Sequence, residues 1–180
     1  MVVDDYDRLM NTLLAALPDA GVRFVMNAGT DLASSQAGIR MAERIPFLYA
    51  SAGVHPPAAA SAPEDLEEKL RETAPHPQVR AIGEIGLDYH YDFAPRPRQQ
   101  EVFERQLALA GELSLPVIIH DREAHGDTLA LLRRHRPEGI VHCYSRSPAV
   151  APGPLALGLL MCFTQSLFHI CRCVPRSHRR

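Results

Sequence analysis

The sequence has no long apolar run, no cysteine framework, no excess of either charge and no charged-then-apolar leader. Each absence removes a class of protein. The longest apolar stretch, Leu155 to Phe163, is about half of what a membrane-spanning helix needs. Met1 leads almost at once into Asp4, Asp5 and Asp7, which is not how a secretory leader begins. A cytoplasmic protein with no membrane association is the expectation. The four cysteines, Cys143, Cys162, Cys171 and Cys173, crowd the C-terminal part, so reduced thiols are expected rather than disulfides. The lone C-x-C at Cys171 and Cys173 lacks a partner pair and does not read as a metal site. A net charge of −2 excludes the broad cationic face of a non-specific duplex coat. It leaves open an enzyme that takes one strand end into a pocket. No G-x-G-x-x-G follows the first apolar strand, so a dinucleotide fold loses its main support.

What is present is a chain of 180 residues with 46% hydrophobic content, enough for one domain with a sizeable core. From residue 4 to about 145, amphipathic helices alternate with short apolar runs. Residues 4–20 carry Leu9, Leu13, Leu14 and Leu17 at helical spacing, with Gly21 as the stop. Residues 22–28 read as a strand. Thr30 or Asp31 can cap a helix through about Arg44, and residues 47–52 read as a strand ending at Gly53-Val54-His55-Pro56. A helix over 63–73, with Ser61 as its cap, places Glu64, Asp65, Glu67 and Glu68 at the positive N-terminal end. Residues 79–85 form a strand running into Gly86-Leu87-Asp88. The longest helix, 97–113, shows Val102, Phe103, Leu107 and Ala110 on one face. A strand over 116–119 ends at His120, a helix covers 124–136, and a strand over 139–141 ends at His142.

Near-continuous apolar strands alternating with helices indicate a parallel sheet buried on both faces. Pattern alone leaves an open doubly wound sheet and a closed barrel both possible. The polar residues decide between them: His55, Glu84, His120 and His142 each sit at the C-terminal end of a different strand, where a β/α barrel gathers its active site. The expected fold class is therefore α/β, a β/α barrel rather than an open sheet. Imidazole and carboxylate converging on one face make a ligand set for a divalent ion. A carboxylate can bridge two such ions, which together activate water and stabilise a leaving oxygen.

The strings Gly53-Val54-His55-Pro56, Gly83-Glu84-Ile85-Gly86-Leu87-Asp88-Tyr89, Val117-Ile118-Ile119-His120-Asp121-Arg122-Glu123-Ala124 and Val141-His142-Cys143-Tyr144-Ser145 resemble the successive motifs of the TatD-type metal-dependent deoxyribonucleases. The resemblance covers about residues 4–160. It implies a fold of the α/β class, a partial TIM (β/α)8 barrel of the metal-dependent hydrolase (amidohydrolase-like) type, that binds two divalent metals (Mg, Mn or Zn) and hydrolyses phosphodiester bonds of DNA, acting on a single strand or a 3′ end. Carried over by motif, Glu84 resembles the catalytic carboxylate that bridges the metals. His120 and His142 resemble ligands of the second ion, and His55 a residue on the substrate side of the pocket. Arg122 could meet a phosphate, since its fork suits that geometry, or form a surface salt bridge. Asp88 and Asp121 could orient imidazoles or water, or serve as helix caps and loop anchors. Tyr89, His90 and Tyr91 could stack a base or pack locally. His76, His125 and His135 read as solvated. No stable protein partner is expected.

Two family pieces have no counterpart. The family opens with a strand ending in H-x-H, and a late strand carries an aspartate in an E-T-D context; neither string occurs here. The chain reads like the family's next strand up to Leu157-Gly158, after which Cys162, Cys171, Cys173 and a run of arginines appear. The expected division is an incomplete barrel domain over 1–158 and an aberrant tail over 159–180, from a frameshift or early stop combined with a late-assigned start. Arg146 stands where a glycine is usual. A barrel lacking strands leaves edges unpaired, so a marginally stable and weakly active chain is expected. Competing functions are hydrolysis of another ester, such as an aminoacyl-tRNA, and a non-catalytic remnant that binds a metal or a partner.

Overall fold

A computed structural model describes residues 10–144, 152–165 and 168–173. Among these, a helix running through residues 10–16 (α1) is followed by β1 (Val25–Asn27), α2 (Leu32–Ala42), β2 (Leu48–Ala52), a 3-10 segment (Pro56–Ser61), α3 (Leu66–Thr73) and β3 (Val79–Asp88). Next come α4 (Arg96–Leu113), β4 (Val117–Arg122), α5 (His125–His135), β5 (Gly139–Tyr144), α6 (Pro152–Ala156), β6 (Leu160–Gln165) and β7 (Phe168–Cys173).

The strands form one sheet in the order β1-β2-β3-β4-β5-β6-β7. The first six pair in parallel, and β7 returns antiparallel on β6. A doubly wound sheet reverses its strand order at a switch point. Here each new strand adds on the same side, so right-handed crossovers send every connecting helix to one face. The other face is the inside of a half barrel, as the alternation and the polar strand ends predicted.

Packing follows the apolar pattern. Ile82, Ile85, Leu87, Ile119 and Val141 from the strands meet Phe103, Leu107 and Leu132 from α4 and α5 in the main core. Leu66, Leu70, Val102 and Leu109 form a second cluster beneath β2. Nine of the ten residues of β3 are buried, which is the signature of a strand covered on both faces. Gly86 is required there: with φ +146°, a Cβ on it would lie 1.9 Å from the His120 carbonyl oxygen. Only glycine lets β3 and β4 pass so closely.

Several boundaries differ from the sequence reading. β3 runs on to Asp88, β4 to Arg122 and β5 to Tyr144, three residues beyond expectation in each case, so the polar residues lie within the strands rather than after them. Asp31 is the cap of α2, in a reciprocal capping box with Ser34. Ser61 caps nothing: its hydroxyl donates to the Ala58 carbonyl in the 3-10 segment, and α3 begins after Asp65. Leu157-Gly158 is not strand. The Pro154 carbonyl accepts from Leu157 and Leu159 as α6 ends, and the strand follows at Leu160. Strands β6 and β7 thus extend the sheet past residue 158. Cys143 is a free thiol as expected, but Cys162 is disulfide-bonded, contrary to expectation. Arg146 lies outside the described residues, and so do the side chains of Cys171 and Cys173.

Candidate metal centre

Three strand ends are tied together before any side chain enters. The Glu84 backbone N–H donates to the Gly29 carbonyl after β1 (2.7 Å), and the His55 N–H to the Thr30 carbonyl (2.9 Å). From outside, α4 sends two buried glutamines to the strand ends. Gln106 accepts from the Val54 N–H (2.7 Å) and donates to its carbonyl (3.1 Å), fixing the residue before His55. Gln99 does the same for Asp88, at 2.8 and 3.0 Å. Both sit on the apolar stripe with Val102 and Phe103, where a polar side chain must find partners or cost stability. The sequence reading passed over them. Their signal was present: glutamines seven apart on the buried face of the longest helix.

The side chains that converge are His55, Glu84 and His120, each offering a ligand atom within 4.8 Å of the others. The His55 and His120 rings meet edge to face, with centroids 4.4 Å apart. His120 Nδ1 lies 3.5 Å from Glu84 Oε1, and its Nε2 lies 3.0 Å from Asp88 Oδ2. An ionised carboxylate only accepts, so Asp88 holds the proton on Nε2. In the neutral ring this leaves the Nδ1 lone pair facing Glu84 and His55. A spacing of 3.5 Å is close to the edge of a tetrahedron built on metal bonds of about 2.0–2.2 Å. Two imidazoles and a carboxylate are three protein ligands, the number found at catalytic rather than closed four-ligand structural sites.

The electrostatics agree. Burial, and next the His120 charge, push the His55 pKa down to about 4, so this ring is neutral and free to bind a cation near neutral pH. Burial opposes the Glu84 charge, but the His120 hydrogen bond and the surrounding histidines outweigh it and hold the carboxyl below its ordinary range. Burial likewise opposes the His120 cation, and Glu84 and Asp88 overcome it, raising its pKa.

His142 acts on Glu84 and His55 through its charge, but its Nε2 lies 2.7 Å from the Cys143 sulfur, and it is not one of the three converging groups. Arg122, two residues beyond His120 and so on the same strand face, places its guanidinium 4.5 Å over the Tyr91 ring. Asp121 faces the other way, holding His125 (3.0 Å) and Thr128 at the start of α5. Tyr89 packs locally, its hydroxyl donating to Asp127 (2.7 Å). His76, His125 and His135 are not merely solvated: each lies against a carboxylate, of Glu43, Asp121 and Glu104 respectively. The wider groove over α3 and α4 is lined by Glu67, Glu101, Glu104 and Glu112. Those carboxylates are paired with arginines and form no comparable site.

Among the described residues, no helix is long and apolar enough to cross a membrane. Residues 3–171 match the model of the TatD related DNase family. The chain is 34% identical over 163 residues to the metal-dependent hydrolase YabD of Bacillus subtilis, covering 89% of this chain and 64% of that protein. It is 37% identical over 162 residues to the 3′-5′ ssDNA/RNA exonuclease TatD of Klebsiella pneumoniae, covering 88% and 62%. Among solved structures, the TatD homologue YJJV of Escherichia coli K12 superposes with a TM-score of 0.76 at 32% identity, covering 84% of this chain and 60% of that one. A TatD family hydrolase of Entamoeba histolytica shares the fold at TM-score 0.79 and 22% identity, covering 88% and 58%. The chain spans about three fifths of the length of these relatives. Taken with the strand-end cluster of His55, Glu84 and His120, the match places the chain in the TatD-related DNase family.

Proposed function

We propose that this chain carries the metal-binding half of a phosphodiester hydrolase acting on single-stranded nucleic acid from an end. The observation that carries the reading is the convergence of His55, just past β2, with Glu84 of β3 and His120 of β4, and the relatives named as ssDNA/RNA exonucleases support the substrate class. Glu84 is the central ligand, with His55 and His120 on either side and His142 a further ligand candidate within electrostatic reach. The family resemblance implies two divalent ions, and Glu84 would contribute to holding them.

A divalent ion (Mg, Mn or Zn) held here supplies Lewis-acid polarisation of a phosphoryl oxygen and a lowered pKa for water. The residues of the chain do the rest. Asp88 fixes the His120 tautomer, Glu84 keeps a negative charge despite burial, and His55 stays neutral. Arg122 makes no ion pair among the described residues, and its fork is suited to a phosphate of the incoming strand.

The test is release of nucleotides from a labelled single-stranded DNA oligonucleotide with Mg, Mn or Zn, by wild type and Glu84→Gln. Metal-dependent release by wild type, lost at least a hundredfold in the variant, is expected. Equal release by both would overturn the reading.

A further inference from the structure

One group beside the metal centre has no part in the chemistry above. Tyr91 and Phe93, in the loop between β3 and α4, lie nearly parallel, 7° apart with ring centroids 5.3 Å from each other. The Arg122 guanidinium lies over the Tyr91 ring, and His90 meets its edge. This is not a core contact: Tyr91 is 50% exposed and Phe93 68%. Tyr89, two residues earlier, has the Arg96 guanidinium over its ring and Asp127 and Gln100 on its hydroxyl.

The loop carrying the pair is anchored at His90 and Tyr91. Asp88 Oδ1 accepts the backbone N–H groups of His90 (3.0 Å) and Tyr91 (3.1 Å), while its other oxygen faces His120 Nε2. A single carboxylate therefore separates the aromatic loop from a metal-ligand candidate. His90 ties the loop to the end of β4 through Glu123 (2.9 Å).

We propose that Tyr91 and Phe93, with Arg122, form a stacking platform for the bases of a single-stranded nucleic acid whose end enters the metal centre. The inference builds on the proposed function and adds a subsite to it. Aromatic faces accept any base, because every base has a π-face. The Arg122 guanidinium, which makes no ion pair among the described residues, supplies the local positive charge that a chain of net charge −2 does not supply globally. The more exposed Phe93 ring offers the face for a base, Tyr91 and the Arg122 guanidinium stack behind it, and the guanidinium's charge suits a phosphate.

Binding of a fluorescein-labelled single-stranded 8-mer, followed by anisotropy in EDTA so that no hydrolysis occurs, tests it. The proteins are wild type, Tyr91→Ala, Phe93→Ala and Phe93→Leu, and a second oligonucleotide is abasic at its terminal positions. The platform predicts binding about tenfold weaker for each alanine variant and for Phe93→Leu, which keeps bulk but not the ring. It also predicts that wild type binds the abasic oligonucleotide as weakly as Phe93→Ala binds the normal one. The abasic comparison needs only wild type, so a misfolded variant does not spare the idea. Unchanged affinity in the variants, equal binding of the two oligonucleotides, or no binding by wild type would each overturn it. So would loss of anionic-vesicle binding in Phe93→Ala with oligonucleotide binding intact. If the chain hydrolyses DNA yet ignores these changes, the platform fails while the proposed function stands.

Discussion

His55 shows how far a single residue could be read in advance and where the reading stopped. Its position at a strand end was legible, and the motif resemblance assigned it to the substrate side of the pocket. Its approach to Glu84 and His120 depends on the Val54 backbone being held by Gln106 from a helix fifty residues away, which no local pattern encodes. The same environment makes it a reporter. Its folded pKa of about 4 lies below the ordinary 6.5, so the unfolded chain takes a proton that the folded chain refuses. The stability this residue contributes is present above about pH 6.5 and lost as pH falls through 4, at most about 3 kcal/mol. The raised pKa of His120 works above this window, its contribution being complete below pH 6.5, so it does not offset the loss. Urea unfolding at pH 6.5 and 4.5 should show a steeper acid loss for wild type than for His55→Asn. Equal slopes would contradict the account.

Among the elements, the helices and strands from β1 to β5 were legible because apolar runs and helical periods alternate without ambiguity. Strand β3 was read short because Gly86-Leu87-Asp88 looks like a turn, whereas β1, expected over 22–28, covers only Val25–Asn27. The close passage of β3 and β4 at Gly86 is tertiary information. Pro56–Ser61 has no period to read, and the leucines at 155–159 look like a buried strand while serving the end of α6. The most consequential element is α4, whose glutamines set the strand ends. Gln106→Ala leaves the Val54 N–H and carbonyl unpaired in the core, so a loss of about 1–3 kcal/mol is expected, measured by urea unfolding. Metal affinity should fall as well, because His55 is no longer held. Destabilisation without any change in metal affinity would mean that α4 supports the core and not the site.

At the scale of the molecule, strand order and site belong to one fact. Six parallel strands added in sequence bring their C-terminal ends to one rim, and the rim carries imidazoles and carboxylates whose charges hold one another's protonation states. The alternation of strands and helices and the placement of His55, Glu84, His120 and His142 on four different strand-and-loop units were legible in the sequence, and their roles came from the motif resemblance. Which side chains lie nearest one another was not legible: His55 meets Glu84 and His120, while His142 Nε2 lies against the Cys143 sulfur. The most direct test is isothermal titration of Mn²⁺ into wild type and Glu84→Gln at fixed pH. Saturable binding by wild type, weakened at least a hundredfold in the variant, is the predicted result. Undiminished affinity in Glu84→Gln would contradict the metal centre described above.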